Sequence, residues 1–144
     1  MAEIEAGDWF DMNRPDHLHW LDRKIARRIG SGGQFYGLYL PDEQPSAIYC
    51  LLLEDHPMIA GHAEVLDLGV VKTHRRQGHG TRLLRDAEQR SRAAGMACLY
   101  IETYVGDKIA IAVYEKAGFV QVAEIPGLNG PCDRGQVTLL KKLD

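Results

Sequence analysis

The chain has 144 residues, a formal net charge of −3, 45% hydrophobic residues and 26% charged residues. This length predicts one domain over residues 1–144, and the composition is that of a soluble globular protein. The acidic balance argues against a general nucleic-acid-binding surface. Neither a membrane span nor a signal peptide is evident, and the three widely spaced cysteines show no metal or disulfide pattern. We therefore expect a cytoplasmic protein without a metal site.

The first half of the chain is predicted to form a helix followed by an antiparallel meander. A candidate short strand covers residues 2–6, and a helix is expected from about His17 to Ile29, with Asp16 as its N-cap. The apolar helix positions expected to face the core are Leu18, Leu21, Ile25 and Ile29. Strands are then predicted at Phe35–Leu40, Ala47–Glu54 and Gly61–Val71.

The second half is predicted to begin with a strand–helix–strand crossover, which makes two strands parallel. The predicted elements are a helix over Gly78–Ala94, a strand over Met96–Glu102, a helix from the cap Asp107 to Ala117, and strands over Phe119–Ala123 and Gln136–Lys141. The helix positions expected to be buried are Leu83, Leu84, Ala87, Ser91 and Ala94, then Ile109, Ala110, Val113 and Ala117. The sum is an α+β fold with a mixed, mostly antiparallel sheet flanked by helices.

The stretch from Leu66 to Leu84 joins an apolar strand to an amphipathic helix through a basic, glycine-containing turn. Such a turn gathers free backbone N–H groups at the positive end of a helix, where phosphate commonly binds. Gly78 and Gly80 permit close approach and positive φ, while Arg75 and Arg76 add permanent charge. A solvated strand–helix connection is the alternative interpretation of the turn alone.

Two motifs in this half match one family. Residues 75–80 read Arg-Arg-Gln-Gly-His-Gly against the family pattern Arg/Gln-x-x-Gly-x-Gly/Ala. Residues 107–119 read Asp-Lys-Ile-Ala-Ile-Ala-Val-Tyr-Glu-Lys-Ala-Gly-Phe against Asn-x-x-Ala-x-x-x-Tyr-Glu-Lys-x-Gly-Phe. The motifs stand in the right order with a helix and a strand between them. The sequence therefore resembles the GNAT superfamily of acyl-CoA-dependent N-acyltransferases over residues 61–123.

The resemblance implies a GNAT-like sheet with a splayed parallel pair, and acetyl-CoA as the acyl donor. The turn would hold the coenzyme A pyrophosphate, and the end of the preceding strand would pair with pantetheine. The implied cofactor-binding residues are Leu68, Gly69, Val70, Val71, Arg75, Arg76, Gln77, Gly78, His79, Gly80, Thr81, Asp107, Ala110 and Tyr114. The acetyl group would lie between the splayed strands, and a primary amine of a small molecule or peptide would attack it from the other side.

The resemblance also implies catalytic roles. Tyr114 would protonate the departing thiolate, and a backbone N–H near Val70 would stabilise the oxyanion. Glu64 is the candidate base, with Asp67 and water as the alternatives. Strand alternation places Glu64 and Asp67 on opposite faces unless a bulge intervenes. Tyr114 is alternatively a core aromatic, and the two carboxylates are alternatively ordinary polar residues.

Two positions depart from the family pattern. Arg76 replaces a common glycine, and Asp107 replaces the usual asparagine. A carboxylate at position 107 can cap a helix but cannot donate a hydrogen bond to pantetheine, and it is alternatively a binding group for the substrate amine. We expect acceptor specificity to arise from about Trp9–Trp20 and Pro126–Arg134, without identifying the amine. The chain is expected to be a monomer or a homodimer. A catalytically silent module that binds coenzyme A or a protein is the alternative function.

A P-loop nucleotide hydrolase is excluded because the Gly-x-x-x-x-Gly-Lys-Ser/Thr motif is missing. A nicotinamide-binding Rossmann domain is excluded because the Gly-x-Gly-x-x-Gly spacing is missing.

Overall fold

The computed structural model describes residues 15–39, 45–55, 58, 61–125 and 135–143. In chain order the described elements are α1 (Pro15–Gly30), β1 (Gln34–Tyr39), β2 (Pro45–Glu54), β3 (His62–Val70), a 3₁₀ turn (Lys72–His74), α2 (His79–Ala93), β4 (Cys98–Tyr104), α3 (Lys108–Lys116), β5 (Val120–Ile125) and β6 (Gln136–Lys142). The strand predicted at residues 2–6 and the two proposed specificity segments lie wholly or largely outside the described residues.

The six described strands form one sheet in the order β1-β2-β3-β4-β6-β5. Only β3 and β4 are parallel, and every other neighbouring pair is antiparallel. The connection between β3 and β4 contains α2, as expected for a parallel crossover. The predicted α+β fold with a mixed, mostly antiparallel sheet is therefore confirmed.

Neighbouring residues of β2 show that α1 and α2 lie on opposite faces of the sheet. Tyr49 donates a hydrogen bond of 2.6 Å to Asp86 of α2. Cys50, the next residue, lies beside Gly33, at the end of the turn that follows α1, and successive strand side chains point to opposite faces. Burial raises the pKa of the Cys50 thiol to about 11, with Asp67 adding to the increase. The thiol is therefore a neutral core group rather than a nucleophile.

Five of the helix positions predicted to face the core are buried and three are half-buried, while Leu18 and Leu21 lie outside the described side chains. Leu83, Leu84, Ala87 and Ser91 are buried in α2, and Ala110 and Tyr114 in α3. Three predictions of burial are wrong, because Ile29 is 58% exposed, Ile109 is 56% exposed and Ala94 is exposed. Ile29 lies in the last turn of α1, whose inward side is occupied by Arg28. Ala94 follows the last helical residue, so helical spacing no longer sets its direction.

Several element ends also differ from the predictions. Helix α1 begins at Pro15, so Asp16 lies inside its first turn and the prediction of an Asp16 N-cap is wrong. Proline suits the first helical position because its missing N–H would have no partner there. Strand β4 lies two residues later than predicted, after the loop residue Met96.

Among the described helices, none combines the length and the apolar character needed to cross a bilayer.

Candidate active site

The basic turn between β3 and α2 has the backbone of an anion site. Gly78 is the N-cap of α2 and has φ of 80°, and a Cβ built there meets no atom within 4 Å. The first helical hydrogen bond runs from the Arg82 N–H to the Gly78 carbonyl. The N–H groups of the three intervening residues therefore have no partner within the helix, and the positive end of the helix dipole adds to their field.

His79 opens α2 and provides a polar side chain at the same place. Its Nε2 is buried and has no hydrogen-bond partner among the described residues. The rings of His74 and His79 lie 6.4 Å apart between centroids, and Nε of Arg75 donates to the Val70 carbonyl at 3.1 Å. A buried donor next to free helix N–H groups fits an anionic ligand such as pyrophosphate.

Arg76 has φ of 60°, a conformation that glycine adopts more easily than arginine. We expect Arg76→Gly to raise the free energy of unfolding by roughly 0.5–1 kcal/mol. The substitution relieves the left-handed strain, and the greater conformational entropy of glycine in the unfolded state offsets part of this gain. Urea unfolding measures the change. Arg85→Gly, in the exposed side of α2, is the control and should instead lower stability by about 1 kcal/mol. Equal losses in both variants would contradict strain at Arg76.

A groove between α2 and α3 leads away from the turn. It encloses about 630 Å³, and its lining includes Gly78 and Thr81 at the start of α2, Arg85 one turn further, and Lys116 on α3. The groove therefore begins at the candidate anion site and carries three further cations, of which Lys141 is paired with a glutamate in the same lining. A long phosphorylated ligand bound at the turn could extend along it.

The parallel strands separate at their C-terminal ends. Pairing between β3 and β4 runs only from the His62–Cys98 pair to the Val65–Ile101 pair. Beyond this point β3 still pairs with β2 as far as Val70, and β4 still pairs with β6 as far as Tyr104. The backbone of β3 after Val65 thus has an edge that β4 does not cover, which confirms the predicted splayed pair.

A cavity of about 210 Å³ occupies this gap. The lining residues are Lys24 and Arg28 of α1, Val65, Leu66, Asp67 and Leu68 of β3, Ile101, Glu102, Thr103 and Tyr104 of β4, Tyr114 of α3, and Gln136 of β6. Helix α1 lies on one face of the sheet, and α3 shares a groove with α2 on the other. The cavity is therefore lined by side chains from both faces of the sheet.

Tyr114 reaches the cavity from α3. The residue is 1% exposed, and its ring lies 6.4 Å from the ring of Phe119 between centroids. Both predicted environments are thus present at once, since the tyrosine packs in the core and also lines the gap. Because the residue is almost fully buried, a ligand can meet Tyr114 only where it lines the cavity.

The two candidate bases differ sharply in their surroundings. Asp67 lines the cavity, and its carboxylate is bound by both Lys24 and Arg28. Glu64 is half-buried and is absent from the cavity lining. Both carboxylates raise the pKa of the Cys50 thiol. Arg28 partly offsets the increase in the pKa of Glu64, and it also binds Asp67. A bulge at Asp67 removes the strict alternation, so the expected separation onto opposite faces does not hold.

Burial raises the pKa of Glu64, and repulsion from Glu102 adds to the increase. The folded state therefore favours the protonated carboxyl, and this stabilisation is present at low pH and lost as the pH rises through the folded-state pKa. We expect Glu64→Gln to be more stable than wild type at pH 7 and equal to it below about pH 4. Thermal unfolding at both pH values measures this. A gain that is the same at both would contradict a titrating Glu64.

Asp107 acts as the helix cap that the sequence suggests. Its Oδ1 accepts a 3.2 Å hydrogen bond from the Ala110 N–H, and its Oδ2 accepts one of 3.3 Å from the Thr103 hydroxyl. The residue is buried and begins α3, which carries Tyr114. Asp107 thus positions the helix, and this use of both oxygens leaves a direct amine-binding role without support.

Sequence reasoning missed much of the cavity lining. Lys24 and Arg28 look like a solvated pair on α1, although their spacing of four residues places them on one helix face. Glu102, Tyr104 and Gln136 lie in or beside predicted strands without a motif. The one available signal was the Val-Leu-Asp-Leu run at residues 65–68, which interrupts strict alternation and indicates a bulge.

A model described as the acetyltransferase (GNAT) family matches residues 1–119. The match covers most of the chain, and the chain therefore belongs to the GNAT acetyltransferase family. No curated protein matches the sequence significantly.

Solved structures share the fold at low sequence identity. An IAA acetyltransferase from Bacillus cereus has 24% identity and a TM-score of 0.72, covering 90% of this chain and 93% of that chain. A Bacillus subtilis acetyltransferase in complex with CoA has 21% identity and a TM-score of 0.70, covering 83% of each chain. The ribosomal-protein-S18-alanine N-acetyltransferase from Escherichia coli has 20% identity and a TM-score of 0.69, covering 84% of this chain and 76% of that chain.

Proposed function

We propose that the protein is an N-acetyltransferase that moves an acetyl group from acetyl-CoA to a primary amine by direct attack on the thioester. The observation that carries this proposal is the cavity in the gap between β3 and β4, which is lined from both faces of the sheet and has Tyr114 in its wall. Donor and acceptor can approach one carbon atom from opposite faces of such a cavity. Family membership and the CoA complex of the similar Bacillus subtilis structure support the same conclusion.

The binding roles follow from the site geometry. The N–H groups after Gly78 and the buried Nε2 of His79 hold the pyrophosphate, and Arg75, Arg76 and Gln77 surround it. The uncovered edge of Leu68–Val71 pairs with the pantetheine amides, as a partner strand would. Asp107 and Ala110 shape the start of α3, which borders the same path. The groove between α2 and α3 holds the remainder of the ligand.

The chemistry requires one proton to leave the amine and one to reach sulfur. The amine nitrogen attacks the carbonyl carbon, a C–N bond forms, and the C–S bond then breaks. Tyr114 gives its hydroxyl proton to the departing thiolate, because it lines the gap from α3. A backbone N–H of the uncovered β3 edge near Val70 stabilises the oxyanion.

Glu64 is proposed as the base that takes the amine proton, through a bridging water, since it does not line the cavity itself. Its raised pKa makes it a stronger proton acceptor than an ordinary glutamate. Asp67 is a weaker choice because an incoming proton competes there with two bound cations. Water alone is the remaining alternative.

The rival function is a silent module that keeps the fold and binds coenzyme A or a protein. A cavity with charged side chains in its lining favours the enzyme, because a silent site has no need to keep such a cavity at the strand gap. We further propose one domain over residues 1–144 in the cytoplasm, acting as a monomer or homodimer. The acceptor is proposed to be a small amine or a peptide amine, the latter class being named for the similar Escherichia coli enzyme.

Calorimetric titration with acetyl-CoA tests the proposal, with NADH and ATP as control ligands. Micromolar binding of acetyl-CoA alone, followed by thiol release with at least one member of a panel of primary amines, is the expected result. The panel contains a peptide with a free alanine N-terminus, a lysine peptide blocked at its N-terminus, and a polyamine. Binding without thiol release would favour a silent module that binds coenzyme A. A folded protein that binds no acetyl-CoA would refute the transferase and leave only the protein-binding module.

A further inference from the structure

A β-bulge shapes the part of β3 that borders the cavity. The register between β2 and β3 shifts between Ile48 and Cys50, so that Tyr49 faces both Asp67 and Leu68. Asp67 has φ of 55°. A residue other than glycine is strained in this left-handed region, and it persists there only where the surrounding structure holds it. The bulge therefore needs a specific support.

Two cations of α1 provide that support. Nζ of Lys24 lies 2.8 Å from Oδ1 of Asp67, and Nε of Arg28 lies 3.0 Å from Oδ2. The Asp67 side chain is 6% exposed, against 27% for Lys24 and 33% for Arg28. Lys24 and Arg28 are one helical turn apart and would repel each other without an anion between them. We name these three residues the Asp67 clasp.

The clasp stands where the two strands have just separated. Parallel pairing ends at Val65, two residues before Asp67, and all three clasp residues line the cavity. Nothing from β4 pairs with this part of β3. Its backbone is held by β2, by the clasp and, at the Val70 carbonyl, by Arg75. The backbone of Leu68–Val70, which follows the bulge, is the edge that faces the proposed thioester position.

We propose that Asp67 is a positioning residue, and that its clasp to Lys24 and Arg28 fixes the bulge so that the Leu68–Val70 backbone is aligned with the thioester. This inference rests on the proposed acetyl transfer in the cavity. It assigns the Asp67 carboxylate to holding the sheet rather than to removing the amine proton. It also makes α1 part of the catalytic geometry through two ion pairs.

The decisive variant removes the cations and keeps the carboxylate. Lys24→Met/Arg28→Met leaves Asp67 free to act as a base, so a base role predicts full activity and the clasp predicts loss. We expect kcat for thiol release with the amine panel to fall roughly 10- to 100-fold, since misplacement of about 1 Å costs on this scale. The kcat of Asp67→Gly should fall by the same factor, although glycine tolerates the left-handed backbone. Affinity for CoA should fall by a smaller factor than kcat, because only the pantetheine contacts of Leu68–Val70 are disturbed and the pyrophosphate turn is unchanged.

Arg23→Met/Arg27→Met is the matched control. It removes two positive charges with the same spacing from the same helix, but both side chains are exposed and neither lines the cavity. Wild-type kcat is expected. Asp67→Asn should keep part of the activity, because asparagine accepts the left-handed backbone and can still accept hydrogen bonds from both cations.

Amide hydrogen exchange is a measurement that does not require the acceptor amine to be known. Exchange over residues 66–70 should accelerate in Lys24→Met/Arg28→Met and Asp67→Gly, and remain unchanged in the control. Wild-type exchange and wild-type kcat in Lys24→Met/Arg28→Met would overturn the clasp. A wild-type protein that binds no acetyl-CoA would instead refute the proposed function, and the exchange data would still decide whether the clasp holds the bulge.

Discussion

Gly78→Glu is expected to weaken acetyl-CoA binding by at least about 100-fold, since it places a carboxylate where N–H groups would receive the pyrophosphate and removes two or more charge-assisted hydrogen bonds. The protein should remain folded, because a Cβ at this position meets no atom within 4 Å. The cost in stability is the left-handed strain alone, about 1–2 kcal/mol. Titration calorimetry measures the affinity, and circular dichroism checks the fold.

Gly95→Glu is the matched control for this variant. Gly95 follows the other end of α2, has φ of 77°, and likewise has no atom within 4 Å of a built Cβ. The two variants therefore share the added charge and the backbone strain but differ in their distance from the proposed anion site. We expect wild-type affinity for Gly95→Glu. Similar affinities in the two variants would place the pyrophosphate elsewhere.

Tyr114→Phe is expected to lower kcat by about 100-fold or more, which is the range that a general acid supplies. Affinity for acetyl-CoA should stay within a few fold, because the change removes one oxygen atom and keeps the ring that packs near Phe119. A loss of kcat that leaves ground-state binding unchanged marks an interaction made in the transition state. Thiol release with the most active amine of the panel measures kcat.

Tyr36→Phe controls for the loss of a tyrosine hydroxyl group. The Tyr36 hydroxyl donates a 2.6 Å hydrogen bond to Gln34, and its ring stacks on Tyr49 and lies under Arg90, outside the cavity lining. Wild-type kcat is expected there. If Tyr114→Phe also retained wild-type kcat, the acid would be water or another group, and Tyr114 would be a core aromatic only.

The predicted site is partly visible in the sequence because its parts are local. The Gly78 turn and the Asp107 cap are each specified by a few consecutive residues, whose φ angles, N–H groups and capping oxygens follow from residue type. The helical stripe ending at Ser91 is equally local. The same logic failed at Ile29 and Ile109, since periodicity gives the apolar face of a helix but not how far the sheet extends beneath its ends.

The cavity could not be predicted to the same extent, because it depends on contacts between distant parts of the chain. Lys24 and Asp67 are 43 positions apart in the sequence, and nothing local states that they meet. The register shift opposite Tyr49 decides which face Asp67 joins, and pairing of whole strands sets that register. Glu64 likewise acquires its raised pKa from burial in the sheet and, to a smaller extent, from repulsion by Glu102 on another strand.

The sequence by itself determined the class of fold, the family resemblance, the glycine turn that is the candidate anion site, and the place of Tyr114 on a capped helix. These depend on backbone preferences and short-range spacing, which act before the chain is folded. The tertiary structure alone decided where the parallel strands separate, which side chains line the gap, and which partner each carboxylate has. Those outcomes depend on burial and on charges brought together by the sheet, and such energies exist only once the strands have paired.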